Sequence, residues 1–126
     1  MIDDTGMPKK GTHSVGVARQ YCGQLGKPDN CQVAVTLSIA ADHASLPIAH
    51  RLYLPKAWAD DPARRTRAGV PHDVTFHTKP ELALAQIQAA LQAGVAPAPV
   101  LADAGYGIDT AFRDAITELG LSISVQ

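Results

Sequence analysis

The sequence predicts an α/β domain in which a mixed sheet carries flanking helices. Residues 32–41 and 46–54 place apolar side chains at every second position, which is the period of a half-buried strand. Two later segments repeat apolar residues at helical spacing, and each begins with a residue that caps helices. A sheet with helices packed on it buries the apolar faces of both kinds of element.

Length and composition limit the possible classes of protein. The 126 residues, 46% of them hydrophobic, fit a single domain over residues 1–126. A net charge of −1 gives no general basic field, so any contact with nucleic acid needs a local patch. No apolar run reaches the roughly 18 residues of a membrane span, and no membrane partner is expected. Cys22 and Cys31 are too few for a zinc site, so a reduced, cytoplasmic setting without a disulfide is expected.

The first strand is predicted at Ile2–Asp4, with a turn at Gly6. Residues from Lys9 to Gln32 are rich in glycine and show neither the helical nor the strand period, which predicts a long irregular loop. The charges of this loop are mostly basic. Its candidate contacts for nucleic acid are Lys9, Lys10, Arg19 and Lys27.

The alternating segments Gln32–Ala41 and Leu46–Leu54 are joined by a short turn, which predicts an antiparallel hairpin. The polar segment Pro55–Val74 is interrupted by prolines and a glycine, so we expect a loop or a pair of short helices. Trp58 is expected to anchor this segment. Its basic centre consists of Arg64, Arg65 and Arg67, which is typical either of a solvated face or of a nucleic-acid contact.

The second half of the chain predicts two helices. Thr78 and Glu81 form a capping box, and the helix that they open ends at Gly94 and buries one apolar face. The expected buried residues of this helix are Leu84, Ile87 and Leu91. Asp109 or Thr110 caps the other helix, which ends at Gly120.

Two strands complete the predicted sheet. Val95–Ala102 is apolar on both faces, as an interior strand should be. Apolar and polar residues alternate over Leu121–Val125, which predicts a strand close to the end of the sequence. The first predicted strand begins at Ile2, the second residue of the sequence. Domains seldom begin and end inside their sheet, so the sequence predicts part of a longer domain.

Two aspartates are the leading candidates for chemistry. Asp3 and Asp103 each lie at the end of a predicted strand, shortly before a glycine, and neighbouring strands would carry them to one edge of the sheet. Two converging carboxylates favour Mg²⁺ or Mn²⁺, because hard cations select oxygen ligands. For either aspartate alone, a turn-forming role explains the pattern as well. The five histidines lie apart without metal-ligand spacing, and no role is expected for them.

Three stretches resemble the DDE-type transposases of bacterial insertion sequences: IDDTGMPKKGTHSVGVARQYCGQLGKPDNCQVAV, RLYLPKAWADDPARR and VLADAGYG. The resemblance covers nearly the whole chain and implies a ribonuclease-H-like sheet with flanking helices, incomplete at both ends. It further implies that Asp3 and Asp103 are catalytic carboxylates that hold Mg²⁺ or Mn²⁺. Asp4 then either stands beside these ligands or forms a turn. Tyr106 can hydrogen-bond the carboxylate of Asp103 or contact DNA, although packing against the neighbouring helix is its expected use.

The family's third carboxylate follows the last strand of its sheet, which implies a position beyond Gln126. Within the chain only Glu81 and Glu118 follow residue 80, and neither is well placed. The resemblance therefore implies two of three acids and a chain that is inactive alone.

The resemblance implies metal-dependent cleavage of DNA and transfer of the cut strand to a target. The implied partners are the DNA of the element ends and of the target, a second copy of the chain or a full-length transposase. A cytoplasmic protein that associates with the nucleoid when on DNA would follow. Two alternatives stay open: a non-catalytic remnant that at most binds DNA or transposase, and an unrelated small metal-dependent phosphohydrolase.

Overall fold

The computed structural model describes residues 1–126, which divide into two compact units. Unit 1 comprises residues 1–3, 35–51 and 79–126, and unit 2 comprises residues 4–34 and 52–78. The strands are β1 Ile2–Pro8, β2 Ala18–Cys22, β3 Lys27–Ala41, β4 Ala44–Leu52, β5 Val100–Ala102 and β6 Ile123–Val125. The helices are α1 Lys56–Ala59, α2 Pro62–Ala68, α3 Lys79–Gln92, α4 Ala104–Gly107 and α5 Thr110–Glu118.

The larger sheet is built around the long strand β3, which pairs with β1, β2 and β4. Strand β1 is antiparallel to β3, because Met1 exchanges backbone hydrogen bonds with Ser38 while Lys9 donates to Asn30 further along. Strands β3 and β4 form the hairpin that alternation predicts. The predicted hairpin is therefore confirmed, and β1 lies beside its first strand.

The first strand is longer than predicted, since β1 continues from Ile2 through Gly6 to Pro8. Gly6 does not make a turn. A side chain at this position would bring its Cβ to 2.7 Å from the Sγ atom of Cys22, so the glycine allows close approach of β2. A glycine inside a strand has the same sequence signature as a turn, which explains the error.

The prediction of an irregular loop from Lys9 to Gln32 is wrong in its second half. Strand β2 and the first part of β3 form an antiparallel hairpin with Ala18 opposite Cys31 and Cys22 opposite Lys27. The inward side of β2 includes Gln20, whose amide donates to the carbonyl of Cys31 at 2.8 Å. Because this residue is polar, the alternation of β2 does not register as a change of hydrophobicity.

The strand predicted at Val95–Ala102 is reduced to the three residues of β5. Pro97 and Pro99 precede it, and proline has no N–H to offer a sheet. Strand β5 pairs in parallel with β6 in a separate two-stranded sheet. The single mixed sheet, with this strand next to the first, is therefore corrected to an antiparallel sheet of four strands and a parallel pair.

Helices form in the segments where they are predicted, and Asp109 caps α5 as expected. Asp61 accepts from the backbone N–H of Arg64 and caps α2, and Asp109 accepts from Phe112 and caps α5. Helix α3 buries Ile87 as expected, but its other buried residues are Leu82, Ala83 and Gln86. Leu84 and Leu91 are only partly buried. The helix is therefore turned from the predicted face, and its buried surface includes an amide.

Each unit has its own apolar core. In unit 2, Trp58 packs with Val17 and Leu54, while Cys22, Cys31 and Val33 form a second cluster. Both cysteines are free and buried. The buried residues of unit 1 include Val35, Ala83, Val100, Phe112 and Ile116. No helix is long and apolar enough to cross a membrane.

Candidate metal and nucleic-acid site

Asp3 is an exposed residue near the start of β1. Its neighbours Ile2 and Asp4 point to the other face of the strand, where Ile2 is buried. The strand therefore fixes the backbone at Asp3 through Ile2 while it leaves the carboxylate on the solvent side. Asp3 does not end its strand, contrary to the prediction from sequence.

Asp103 directly follows β5 and begins α4. Its Oδ1 atom accepts a hydrogen bond from the backbone N–H of Tyr106 at 3.3 Å, so the carboxylate caps the short helix. Oδ2 is not engaged in this cap, and the side chain is exposed. Gly105 lies close against the carboxylate: a Cβ there would stand 3.2 Å from Oδ1. The cap orients Asp103 and leaves one oxygen for a cation.

Unit 1 brings the two strands that carry these acids to one groove. Met1 and Leu101, each two residues before one of the acids, both line an apolar groove of about 360 Å³. Asp3 and Asp103 also belong to the same compact unit. No group of three or more histidine, cysteine, aspartate or glutamate side chains is positioned to hold a metal. Carboxylate oxygens are donors that suit Mg²⁺ or Mn²⁺.

Asp4, next to Asp3, and Tyr106, close to Asp103, lie in different surroundings. Asp4 is half-buried on β1. Tyr106 is 3% exposed, and its ring lies 6.0 Å from the ring of Phe112, so it packs against α5. The hydrogen bond from Tyr106 to Oδ1 of Asp103 is donated by the backbone N–H of the tyrosine. Glu81 and Glu118 are exposed and belong to no ligand group, which agrees with their poor placement in sequence.

All seven cations predicted to contact DNA lie in unit 2. Lys9, Lys10, Arg19, Lys27 and Arg67 are exposed. Arg65 is half-buried and donates to the carbonyls of Ala59, Pro71 and Val74. It therefore connects α2 to α1 and to the segment that follows α2. Its hydrogen bonds are those of a structural residue.

Arg64 lies over Trp58, with its guanidinium carbon 3.9 Å from the ring centroid. Its Nη2 donates to the carbonyl of Thr12 at 3.0 Å. Trp58 itself is 1% exposed and donates from Nε1 to the carbonyl of Val17 at 2.8 Å. The expected anchoring role of Trp58 is confirmed, and the same stack holds Arg64 in place.

A cavity of about 390 Å³ opens beside this stack, and we call it the arginine pocket. Its lining residues are Thr12, His13, Trp58, Arg64, Arg67 and Ala68. The sequence does not predict that His13 lies near Arg67, because the two residues are far apart in the chain and share no motif. The one sequence feature that they have in common is the basic character of the segments around them.

The two units carry opposite charge. Unit 2 contains eight lysines and arginines against five aspartates, a net charge of +3 with neutral histidines. Unit 1 contains three lysines and arginines against seven acids, a net charge of −4. The overall value of −1 conceals this difference. A local basic surface, the condition for nucleic-acid contact, is therefore available in unit 2.

Comparison with known proteins gives two matches. The chain matches the DDE superfamily endonuclease family over residues 1–126. It is also 37% identical over 107 residues to a protein of Microchaete diplosiphon described as a probable transposase for insertion sequence element IS701. That match includes 85% of this chain and 25% of the relative, so the chain spans a quarter of the relative's length. No solved structure shows significant similarity to the chain.

Proposed function

Because this chain belongs to the DDE superfamily endonucleases, we propose that it forms part of the catalytic core of an insertion-sequence transposase. The reaction is cleavage of a DNA strand by water, followed by transfer of the freed 3′ hydroxyl to target DNA. The observation that carries this proposal is the family match over every residue of the chain. The identity of 37% to a probable transposase supports the transposition reaction within that family. Family membership also argues against the unrelated phosphohydrolase.

Asp3 and Asp103 are the proposed metal ligands. Both are exposed carboxylates in unit 1, and their strands border the same groove. A bound Mg²⁺ or Mn²⁺ supplies activation of the attacking oxygen and neutralises charge on the phosphate. The chain's own contribution is to hold the two carboxylates, Asp3 through its strand and Asp103 through the cap of α4. Asp4 and the backbone of Tyr106 support them. Asp3 and Asp103 supply two carboxylates, and no third ligand-type side chain joins them. The third carboxylate of the site would therefore come from another polypeptide segment.

The DNA contacts are proposed in unit 2, at the cations Lys9, Lys10, Arg19, Lys27, Arg64 and Arg67, whereas Arg65 adds positive charge but is held by carbonyls of its own unit. Exposed lysines and arginines bind phosphates irrespective of base sequence. The proposed partners are the DNA of the element ends and of the target, together with another copy of the chain or a full-length transposase. The proposed location is the cytoplasm, with nucleoid association when the protein is on DNA.

The test compares metal binding and DNA cleavage in variants of the two acids. Titration calorimetry with Mn²⁺ should show weak binding to the chain, weakened further in Asp3→Ala and in Asp103→Asn. In a polypeptide that joins this sequence to a third carboxylate, both variants should lose cleavage of labelled duplex DNA. Asp114→Asn is the matched control, because it removes one exposed charge from α5 of the same unit. Cleavage that survives Asp103→Asn in a folded protein would refute the proposal.

A second candidate function is DNA binding without catalysis, and one observation favours it. Within residues 1–126 no three ligand-type side chains form a group. The same experiments separate the two functions. A DNA-binding remnant would bind DNA with normal affinity after substitution of Asp3 and would not gain cleavage when a third carboxylate is supplied.

A further inference from the structure

The arginine pocket has the composition of an anion site. Two arginines and a histidine line it, and no carboxylate does. The two arginines come from α2, where Arg64 and Arg67 are three residues apart and therefore lie on the same side of the helix. His13 comes from the loop before β2. Like charges at this helical spacing are unfavourable, so the pocket concentrates positive charge that an anion would neutralise.

Arg64 is held before any ligand arrives. It stacks on a buried tryptophan ring, and Nη2 uses its hydrogens on the carbonyls of Thr12 and Val17. The N–H groups of Nε and Nη1 have no partner within the protein. A planar guanidinium fixed in this way loses little conformational freedom when it binds an oxyanion. Arg64, a lining residue of the pocket, therefore keeps three N–H hydrogens without a protein partner.

Arg67 and His13 complete the set as exposed side chains. Neither forms a hydrogen bond or an ion pair in the structure. Both are consequently available to a ligand, and their removal leaves no internal group unpaired. Donors that approach from a helix and from a separate loop suit a tetrahedral anion better than a planar one, because its oxygens point in different directions.

We propose that the arginine pocket binds a phosphate group, with Arg64 as the fixed donor and Arg67 and His13 as closing donors. The cavity is larger than one phosphate, so the group can carry a sugar or a further chain. This proposal rests on the proposed function only for the source of the ligand, which would then be a backbone phosphate of DNA. A free phosphate ion offers the same chemistry, and the experiment separates the two sources.

The experiment is a titration of the full chain with sodium phosphate in the presence of EDTA. Trp58 is the only tryptophan, and it lines the pocket, so its fluorescence reports occupancy. Phosphate should give a saturable change, whereas sodium acetate at the same ionic strength should not. Arg67→Ala and His13→Ala should each weaken phosphate binding, by about tenfold for the arginine, because a charge-assisted hydrogen bond is lost.

Arg113→Ala is the matched control, since it removes an exposed arginine of unit 1 and should leave the phosphate titration unchanged. Arg64 is left intact, because its substitution would disturb the stack on Trp58. If a short DNA duplex displaces phosphate, the ligand is a backbone phosphate; if phosphate binds and the duplex fails to displace it, the ligand is the free ion. An unsaturable response, an equal response to acetate, or equal behaviour of the Arg67 and Arg113 variants would overturn the proposal.

The outcome is independent of the metal site. The titration contains no divalent cation, and Asp3→Ala should bind phosphate normally. Loss of the phosphate response with cleavage intact would reject the pocket alone. A normal phosphate response without any acid-dependent cleavage would reject the catalytic proposal alone.

Discussion

Asp103 combines two duties that a change of residue can separate. Its carboxylate caps α4 and is also a proposed metal ligand, and asparagine can retain the cap without the charge. Asp103→Ala should therefore lower the free energy of unfolding by about 0.5–2 kcal/mol, whereas Asp103→Asn should cost much less. Urea denaturation measures this difference, and calorimetry with Mn²⁺ should show both variants equally impaired. Equal stability of the two variants would contradict the capping role.

Trp58 tests the stack beneath the arginine pocket. Trp58→Phe keeps an aromatic ring but removes the Nε1–H that donates to the carbonyl of Val17. The loss of a buried hydrogen bond, together with a smaller ring in the core of unit 2, should lower the free energy of unfolding by roughly 1–3 kcal/mol.

Circular dichroism during urea denaturation measures the effect of Trp58→Phe without relying on tryptophan emission. Tyr21→Phe is the control, because Tyr21 is 61% exposed and the change should leave stability within about 0.5 kcal/mol. An unchanged denaturation midpoint in Trp58→Phe would show that the Val17 contact carries no stability.

The short helix α2 shows how a cap positions functional side chains. Asp61 accepts from the backbone of Arg64, and Pro62 follows it at the first helical position. Asp61→Ala should cost about 1 kcal/mol and loosen the helix that carries Arg64 and Arg67. The Asp61→Ala variant should also bind phosphate more weakly than the unchanged protein. Asp60→Ala removes the same charge from an exposed neighbour whose side chain does not cap α2, and equal effects of the two changes on stability would contradict this account.

At the scale of elements, the sequence predicts what local physics determines. The cap at Asp109 and the β3–β4 hairpin are predicted correctly, because each depends on neighbouring residues. The errors depend on distant ones. Gly6 indicates a turn in the sequence alone, because the contact that requires a glycine is with Cys22, sixteen residues away. Strand β2 is not evident from the sequence, because its inward side includes the polar residue Gln20, whose side chain donates a hydrogen bond to the partner strand.

The site was predictable to the same extent. Resemblance identified both aspartates, but only the structure shows that Asp103 caps a helix and that Asp3 lies within its strand. The sequence gives no reason to separate Arg64 and Arg65 from the other candidate DNA contacts. Only the structure shows that backbone carbonyls accept hydrogen bonds from both guanidinium groups. His13 enters the arginine pocket through the tertiary fold alone.

The whole molecule divides its charge between the units, which predicts the salt dependence of DNA binding. Affinity of the chain for duplex DNA should fall linearly with salt on logarithmic axes, with a slope of about 0.9 for each phosphate contact. The double variant Lys9→Ala with Lys10→Ala removes two exposed cations of unit 2 and should lower that slope by almost two.

Fluorescence anisotropy with a labelled duplex measures the slopes. Arg113→Ala removes a cation of unit 1 and should leave the slope unchanged. A slope that falls equally in both cases would mean that net charge, and not the basic unit, governs binding.

Opposite charge in the two units also affects the behaviour of the protein in solution. Near its isoelectric pH of about 6.5 the chain has no net charge, yet neither unit is neutral there. Copies can then attract each other through unlike surfaces while no net repulsion keeps them apart. Dilute salt should therefore raise solubility at this pH, since added ions screen the attraction between copies. A preparation kept near neutral pH at low ionic strength would lose protein to reversible precipitation, and moderate salt would return it to solution.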